Sequence, residues 1–326
     1  MTLTISTVIP TYNGAKTLAR AIDSALSQSI QSRVIVVDDG STDDTTAVLR
    51  KYGSRISVIR QQNAGTGPAR TAGTRAADTD LIAYLDADDA WHPAKLERQI
   101  GVFVDSEVGL ASSAAQWIDQ SGEVIRVSRP ALSGHVTREL LVRNPIVTSS
   151  VVVRRTSMER LSTLFRSDLF PIEDWELWIR LSAICKVCVS PEVLVDYHVI
   201  GTSGSRTRGP EDFRRLYDRM FAQLGADPSL RSLIAADERK IRANVHFMVA
   251  YMYYEEGSSR DFLKEIMRSV AMAPHSHSWA NTLPMLLLPR SARERLRRLM
   301  ARLRRPRGAS PATRNATRGN PDTIRR

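Results

Sequence analysis

The stretch Leu81-Ile-Ala-Tyr-Leu-Asp-Ala-Asp-Asp-Ala-Trp-His-Pro-Ala-Lys-Leu96 decides the fold, because it joins a short apolar run to three carboxylates. Open α/β sheets bind ligands at the carboxyl ends of their strands. Asp86 and Asp88 form an Asp-x-Asp pair that can reach one hard divalent cation and the diphosphate it carries. A solvated acidic turn explains an isolated Asp-x-Asp as well, so the surrounding segments must decide between the two.

Residues 1–110 predict a mostly parallel sheet covered by helices on both faces, because apolar runs alternate with helical patterns at a βαβ rhythm. The predicted strands are Ile5–Ile9, Arg33–Val37, Ile56–Arg60, Leu81–Leu85 and Val108–Ala111. The predicted helices are Thr17–Gln28, Asp43–Lys51, Gly67–Ala77 and Pro93–Val104. The fold class is therefore α/β, of the Rossmann-like kind.

The rest of the chain is less regular. A hairpin is predicted from Gln116 to Val127, a strand over Val147–Arg154 and a helix over Asp174–Ala183. Residues 206–289 predict an α-helical region, with a helical hairpin over Ile241–Ala273.

The charge is concentrated at the C-terminus. Residues 290–326 hold thirteen Arg and two acidic residues, which accounts for the whole net charge of +11. Residues 1–289 are therefore balanced and offer no general surface for a polyanion. Because the basic segment also lacks interleaved aromatic residues, nucleic acid is not an expected partner.

The tail itself has two readings. Residues Ser291–Arg305 have the spacing of a basic amphipathic helix, and beyond Pro306 the composition predicts disorder. This helix could bind an anionic inner leaflet as a peripheral contact, or it could be a solvated basic end. No signal peptide and no apolar run near the ~18 residues of a membrane span are seen, so a cytoplasmic location is expected.

The two cysteines, Cys185 and Cys188, form a Cys-x-x-Cys pair. They lie in a β-branched run, where positions three apart point to opposite faces of a strand. No second pair of metal-ligating residues accompanies them, so core packing is the predicted role.

Three further segments carry polar residues at predicted strand ends. The first strand leads into Pro10-Thr11-Tyr12-Asn13, and the second into Asp38-Asp39-Gly-Ser-Thr-Asp43. Turn chemistry and helix capping explain part of both patterns. They do not explain two carboxylates at the end of the second strand, one of which could accept hydrogen bonds from a base or a ribose.

The third strand leads into Gln62-Asn-Ala-Gly65-Thr-Gly67-Pro-Ala-Arg70. The dinucleotide-binding fingerprint fails here, because Arg70 stands where the third glycine would fall. A second interpretation, a loop whose backbone can approach a diphosphate, remains open. Farther along, Glu173-Asp174-Trp175 begins a predicted helix, where acids favoured by the helix dipole are one reading and a general base facing a hydroxyl is another.

Taken in order, these segments closely resemble the family 2 inverting glycosyltransferases of the GT-A fold. The resemblance covers about residues 1–205, with a nucleotide-binding half over about 1–110 and an acceptor half over about 111–205. The matching residues are Pro10-Thr-Tyr-Asn13, Asp38 to Asp43, Gln62 and Gly65 before Ala69-Arg70, Leu85 to Asp89 with Trp91 and Pro93, and Glu173 to Trp175.

The resemblance implies a role for each site residue. Pro10, Thr11, Tyr12, Asn13 and Asp39 would hold the nucleoside of a nucleotide-sugar donor, with UDP expected as the nucleotide. Arg70 would contact the nucleotide or its phosphates, and Asp86 the ribose. Asp88 would hold Mg²⁺ or Mn²⁺, and Asp174 would be the catalytic base toward a carbohydrate or lipid-linked acceptor. Polysaccharide or glycolipid synthesis is the expected process.

The chain departs from the family pattern at two places. Thr71 stands where Asn often follows Ala-Arg, and Tyr197-His198 stands where Tyr-Arg is common, so contacts from this loop to the diphosphate are in doubt. Arg206 or Arg208 could substitute. Two alternatives are a sugar nucleotidyltransferase, which would want a basic phosphate loop after the first strand, and a non-catalytic nucleotide-sugar binding module.

Overall fold

A computed structural model describes residues 3–199 and 209–274. Their strands join one ten-stranded sheet in the order β3-β2-β1-β4-β9-β6-β10-β5, with β7 paired to β6 and β8 to β10. The strands are β1 Ile5–Thr11, β2 Arg33–Asp38, β3 Ser57–Arg60, β4 Leu81–Tyr84, β5 Ala90–Trp91, β6 Val108–Ile118, β7 Val124–Ser128, β8 Ser133–Gly134, β9 Val152–Arg154 and β10 Lys186–His198. The helices are α1 Leu18–Leu26, α2 Thr45–Arg50, α3 Thr66–Ala76, α4 Lys95–Ile100, α5 Thr137–Val142, α6 Arg155–Glu159, α7 Glu173–Ser182, α8 Pro210–Leu224, α9 Pro228–Glu255 and α10 Ser259–Met272.

The first four strands in chain order are parallel, as predicted. β1 lies between β2 and β4, and all seven of its residues are buried, which fits a parallel strand covered on both faces. Thr11 pairs with Asp38 at the carboxyl ends of β1 and β2. The loops that follow β1, β2 and β4 therefore leave the same edge of the sheet.

The second half of the sheet adds antiparallel pairs. β9 runs antiparallel to both β4 and β6, whereas β10 runs parallel to β6. The predicted hairpin is confirmed, because β7 pairs antiparallel with β6. Gly122 sits in its turn with φ of +80°, a conformation that favours glycine.

The strand predicted over Val147–Arg154 is wrong in its first half. Residues Thr148–Ser150 form a single 3₁₀ turn, and only Val152–Arg154 is extended. Tertiary hydrogen bonds explain the change, because the Ser149 carbonyl accepts from Trp91 Nε1 and the Ser150 carbonyl accepts from Gln99 Nε2. Contacts from distant segments therefore override the β propensity of this run.

Helices cover both faces of the sheet. One apolar cluster lies under α3, α5 and α7, and the other under α1, α2 and α4. Cys185 belongs to the first cluster and Cys188 packs against the second, so the two thiols lie on opposite faces, as predicted. Cys185 fills the space above Gly109, where an added Cβ would stand 2.3 Å from its Sγ.

The C-terminal helices pack on the sheet domain. Leu216 and Tyr217 of α8 join the same apolar cluster as Trp178 of α7. The predicted helical hairpin is confirmed as α9 and α10, but α9 begins at Pro228 rather than Ile241, with the Asp227 side chain accepting from Ser229 N at its start. The domain boundaries at 110, 205 and 289 stay predictions, and the basic segment 290–326, Arg206 and Arg208 lie outside the described residues.

Within residues 3–199 and 209–274, no helix combines the length and apolar character that crossing a membrane requires.

Candidate active site

A cleft of about 1130 Å³ opens at the carboxyl edge of the parallel strands. It is lined by every residue predicted for the site, although these residues come from five separate segments. They are Pro10, Thr11, Tyr12, Asn13, Asp39, Arg70, Asp86, Asp88 and Asp174. The tertiary structure therefore brings the predicted residues together.

The loop after β1 presents different kinds of side chain to the cleft. Tyr12 is 51% exposed and offers its ring, whereas Thr11 is buried and its hydroxyl has no hydrogen-bond partner among the described residues. Asn13 has φ of +51°, and its Oδ1 accepts from the backbone N–H groups of Thr42 and Asp43. Asn13 thus ties this loop to the loop after β2.

Asp39 holds the loop after β3 in place. Its Oδ1 accepts from Gln61 Nε2 at 2.7 Å and from Ala64 N at 3.0 Å, and its Oδ2 accepts from Gly65 N at 2.8 Å. Gly65 has φ of +98°, so the turn favours glycine. Asp39 therefore shapes the cleft wall with the same carboxylate that was predicted to contact a base.

The three carboxylates after β4 have different surroundings. Asp89 is fully buried, accepting from Ser149 Oγ and from His198 N, and burial raises its pKa well above the usual value. Asp86 and Asp88 line the cleft. Burial and the neighbouring Asp86 raise the pKa of Asp88 to about 6. Asp89 is therefore a structural residue, and Asp86 and Asp88 are the two that can meet a ligand.

Arg70 is buried between two carboxylates. Its Nη2 lies 2.6 Å from Asp86 Oδ1 and its Nη1 lies 3.0 Å from Glu173 Oε1. Burial, opposed by Arg70, raises the pKa of Glu173 to about 7. Both terminal nitrogens of Arg70 are therefore occupied by protein, and the residue links the loop after β4 to the start of α7.

Asp174 stands beside Glu173 at the first turn of α7. Its Oδ2 accepts from Thr148 Oγ1 and its Oδ1 from the Trp175 backbone N–H. Burial raises its pKa, against the effect of the Arg70 charge and of the Thr148 hydrogen bond. The raised pKa brings this carboxylate closer to the range in which a general base is effective near neutral pH.

Several cleft residues were not singled out from the sequence as site residues. Lys16 lies beyond the loop after β1, and Trp117, Arg126, Arg143 and Tyr197 lie on the acceptor half. Trp117 and Tyr197 pack against each other with ring centroids 5.5 Å apart. Pairing of β6 with β7 and β10, rather than any spacing in the sequence, brings Trp117, Arg126 and Tyr197 together.

The carboxylates after β4 fit a divalent cation. The Asp88 carboxylate accepts no hydrogen bond from another residue in the described part of the chain, and oxygen ligands suit Mg²⁺ and Mn²⁺. No cluster of three acidic, His or Cys ligands occurs among the described residues. That pattern matches a cation held by one or two carboxylates and completed by substrate phosphates.

Comparison with known proteins identifies the family to which this chain belongs. Residues 6–158 match the profile of the family described as Glycosyl transferase family 2. A protein of Escherichia coli, the UDP-Glc:alpha-D-GlcNAc-diphosphoundecaprenol beta-1,3-glucosyltransferase WfaP, is 31% identical over 185 residues, covering 54% of this chain and 69% of the relative. The chain belongs to glycosyltransferase family 2. An uncharacterized glycosyltransferase of Rickettsia prowazekii is 26% identical over 230 residues, covering 68% of this chain and 72% of the relative.

Solved structures confirm the GT-A fold of this glycosyltransferase. S. aureus TarS in complex with UDP-GlcNAc has a TM-score of 0.61 at 15% identity, covering 92% of this chain and 89% of that one. The mannosyltransferase PcManGT from Pyrobaculum calidifontis, in complex with GDP-Man and Mn²⁺, has a TM-score of 0.58 at 18% identity, covering 93% and 87%. The family membership sets aside the nucleotidyltransferase and binding-module alternatives.

Proposed function

We propose that this glycosyltransferase moves a sugar from a UDP-linked donor to an acceptor hydroxyl with inversion, using Asp174 as the base and a divalent cation at Asp88. One observation carries the proposal. The Asp-x-Asp turn after β4 and the acid at the start of α7 line one cleft together with the loops after β1 and β2. A donor-binding side and a basic carboxylate are thus within one open site.

The donor side supports binding of a nucleoside. Tyr12 offers an exposed ring for the base, and the backbone of Thr11 holds this loop at the end of β1, where it lines the cleft. We assign Asp86 to the ribose, because its Oδ1 is oriented by Arg70 while the side chain is still partly exposed. Arg70 and Asn13 also line the cleft as residues for the nucleotide, and their hydrogen bonds to neighbouring loops hold the donor side in place.

The acceptor side supplies the base. Asp174 takes the proton of the acceptor hydroxyl as that oxygen attacks the anomeric carbon, while the bond from that carbon to the diphosphate breaks on the opposite face. Thr148 and the Trp175 N–H orient the carboxylate. Mg²⁺ or Mn²⁺ held by Asp88 would neutralise charge on the departing diphosphate. A single displacement of this kind inverts the anomeric centre.

We propose a carbohydrate or lipid-linked acceptor in the synthesis of a cell-surface polysaccharide or glycolipid. The name of the Escherichia coli relative, which describes transfer to a diphosphoundecaprenol-linked sugar, supports this class. The basic segment 290–326 would then favour a peripheral contact with anionic lipid.

The first experiment is a thermal-shift panel of UDP, GDP, CDP and dTDP, each with and without Mn²⁺, on wild type and Asp88→Asn. A nucleotide present at ~100 times its dissociation constant adds roughly 2.7 kcal/mol of stability. We expect stabilisation by UDP that requires Mn²⁺ and is lost in Asp88→Asn. Asp44→Asn, which changes an exposed acid outside the cleft, is the matched control. If UDP with Mn²⁺ stabilised Asp88→Asn as much as Asp44→Asn, Asp88 would not be the metal residue.

A further inference from the structure

We propose that the acceptor wall, formed by Trp117, Arg126 and Arg143, binds a saccharide that carries a phosphate or carboxylate group. This inference rests on the proposed function, since it takes the cleft as the place where the sugar is transferred. It adds the chemical class of the acceptor and the residues that select it.

The acceptor wall is built on strands that lie beyond β4 in the sheet. In the sheet order, β9 and then β6 follow β4. Neighbouring strands are about 4.8 Å apart, so β6 is about 10 Å from β4. Trp117 lies near the end of β6, and Arg126 lies opposite it on β7. We therefore place a ligand of this wall on the acceptor side, beyond the strand that carries the Asp-x-Asp turn.

The charges of the cleft are sorted along its length. Among the described residues that line it, the acids lie on the donor loops and at the start of α7. The lining between residues 117 and 148 contains Arg126 and Arg143 and no acid. A concave wall of one sign focuses its field and raises the local concentration of a ligand of the opposite sign. This end of the cleft therefore favours an anionic group.

Arg126 is held in a fixed orientation by an aromatic stack. Its guanidinium carbon lies 4.6 Å from the centroid of the Trp117 ring, and Trp117 packs against Tyr197. A stacked guanidinium keeps its N–H groups in its own plane, where they suit the oxygens of phosphate or carboxylate. The wall thus places an amphipathic aromatic surface, suited to a sugar ring, next to a fixed cation.

Arg143 adds a second cation to the cleft lining. It is exposed and lies between α5 and the 3₁₀ turn at Thr148. Thr148, which donates to the base Asp174, follows five residues later, a backbone span of at most ~17 Å. Arg143 and Thr148 therefore belong to one short segment of the cleft lining, and an acceptor whose hydroxyl faces Asp174 can extend an anionic group toward Arg143.

The test measures acceptor binding to the full chain saturated with UDP and Mn²⁺, by calorimetry. Three probes share one sugar skeleton: a neutral alkyl glycoside of N-acetylglucosamine, the corresponding alkyl diphosphate, and the alkyl glycoside of the uronic acid of the same N-acetylated sugar. We expect an anionic probe to bind wild type about tenfold more tightly than the neutral one, the size of one charge-assisted hydrogen bond. Arg143→Gln and Arg126→Gln should each remove most of this preference and leave the neutral glycoside unchanged.

Arg129→Gln is the matched control, since Arg129 is exposed just after β7 but does not line the cleft. It should bind all three probes as wild type does. A preference for the diphosphate over the uronide identifies a phosphate-bearing acceptor, and the reverse identifies an acidic sugar. Equal binding of charged and neutral probes, no binding of any probe, or unchanged preference in both variants overturns the inference. Failure of UDP to bind would instead overturn the proposed function.

Discussion

Replacing Arg70 by Met should destabilise the fold by about 3 kcal/mol, because it leaves Glu173 buried without its cation. The Arg70 and Glu173 side chains are 6% and 3% exposed, and their ion-pair distance is 3.0 Å. Asp86, the other partner, is 25% exposed and can be solvated in part. Removing one member of a buried ion pair costs ~3–5 kcal/mol. Because only Glu173 would be left fully buried without a partner, we expect a loss at the low end of this range.

The loss should depend on pH. Burial raises the pKa of Glu173 from 4.5 to about 7, so its ionisation costs stability as the pH rises from about 4.5 to 7. Removing Arg70 takes away the charge that opposes this shift. The deficit of Arg70→Met relative to wild type should therefore be larger at pH 8 than at pH 5.5.

Urea denaturation at the two pH values measures this deficit. The matched control is Arg75→Met, on the exposed face of the same helix, which should change the free energy of unfolding by less than about 0.5 kcal/mol. Adding Glu173→Gln to Arg70→Met should recover part of the loss at pH 8. Equal stability of the two Met variants, or a deficit unaffected by both pH and Glu173→Gln, would refute this account of Arg70.

Three other changes test separate parts of the molecule. Asp174→Asn should lower kcat by about 10²–10⁴-fold while UDP still raises the melting temperature, and unchanged turnover would remove the proposed base. Gly109→Ala should cost ~1–3 kcal/mol in urea denaturation, since its Cβ would stand 2.3 Å from Cys185 Sγ, 2.6 Å from Cys185 Cβ and 2.7 Å from Ser157 Oγ; unchanged stability would contradict the clash. Burial raises the pKa of Glu265, but hydrogen bonds from His246 and Arg214 outweigh burial, so the pKa lies below 4.5. The stabilisation that these contacts give is therefore complete above pH 4.5 and is lost as the pH falls further. Between pH 5 and pH 3 the free energy of unfolding of Glu265→Gln, from urea denaturation, should therefore fall less than that of wild type. An equal fall in both proteins would argue against this role of Glu265.

Much of the donor side could be predicted from the sequence because its residues follow strands directly. Parallel strands place their carboxyl ends at one edge of the sheet, so the sequence predicts that Thr11, Asp39 and Asp86 lie close together. Their individual partners could not be predicted in this way. Arg70 lies between Asp86 and Glu173, partners that no local pattern indicates, because a buried guanidinium needs nearby carboxylates.

Little of the acceptor side could be predicted from the sequence. Trp117 and Arg126 are nine residues apart in a hairpin and carry no recognisable motif, and Arg143 stands alone before the 3₁₀ turn at Thr148. Even the strand predicted over Val147–Arg154 was shortened by hydrogen bonds from Trp91 and Gln99. Long-range pairing decides these contacts, and single-sequence patterns report only local preferences.

The sequence by itself determined the alternation of strands and helices, the order of the site segments and the resemblance to a glycosyltransferase family, because periodicity and strand-end chemistry are local properties. Only the tertiary structure decided which carboxylate is buried and which is open. Asp88 and Asp89 are adjacent in the chain, but Ser149 and His198 enclose Asp89 while Asp88 faces the cleft. Burial and partners arise from segments about 60 to 110 residues away, so they depend on how the sheet is assembled.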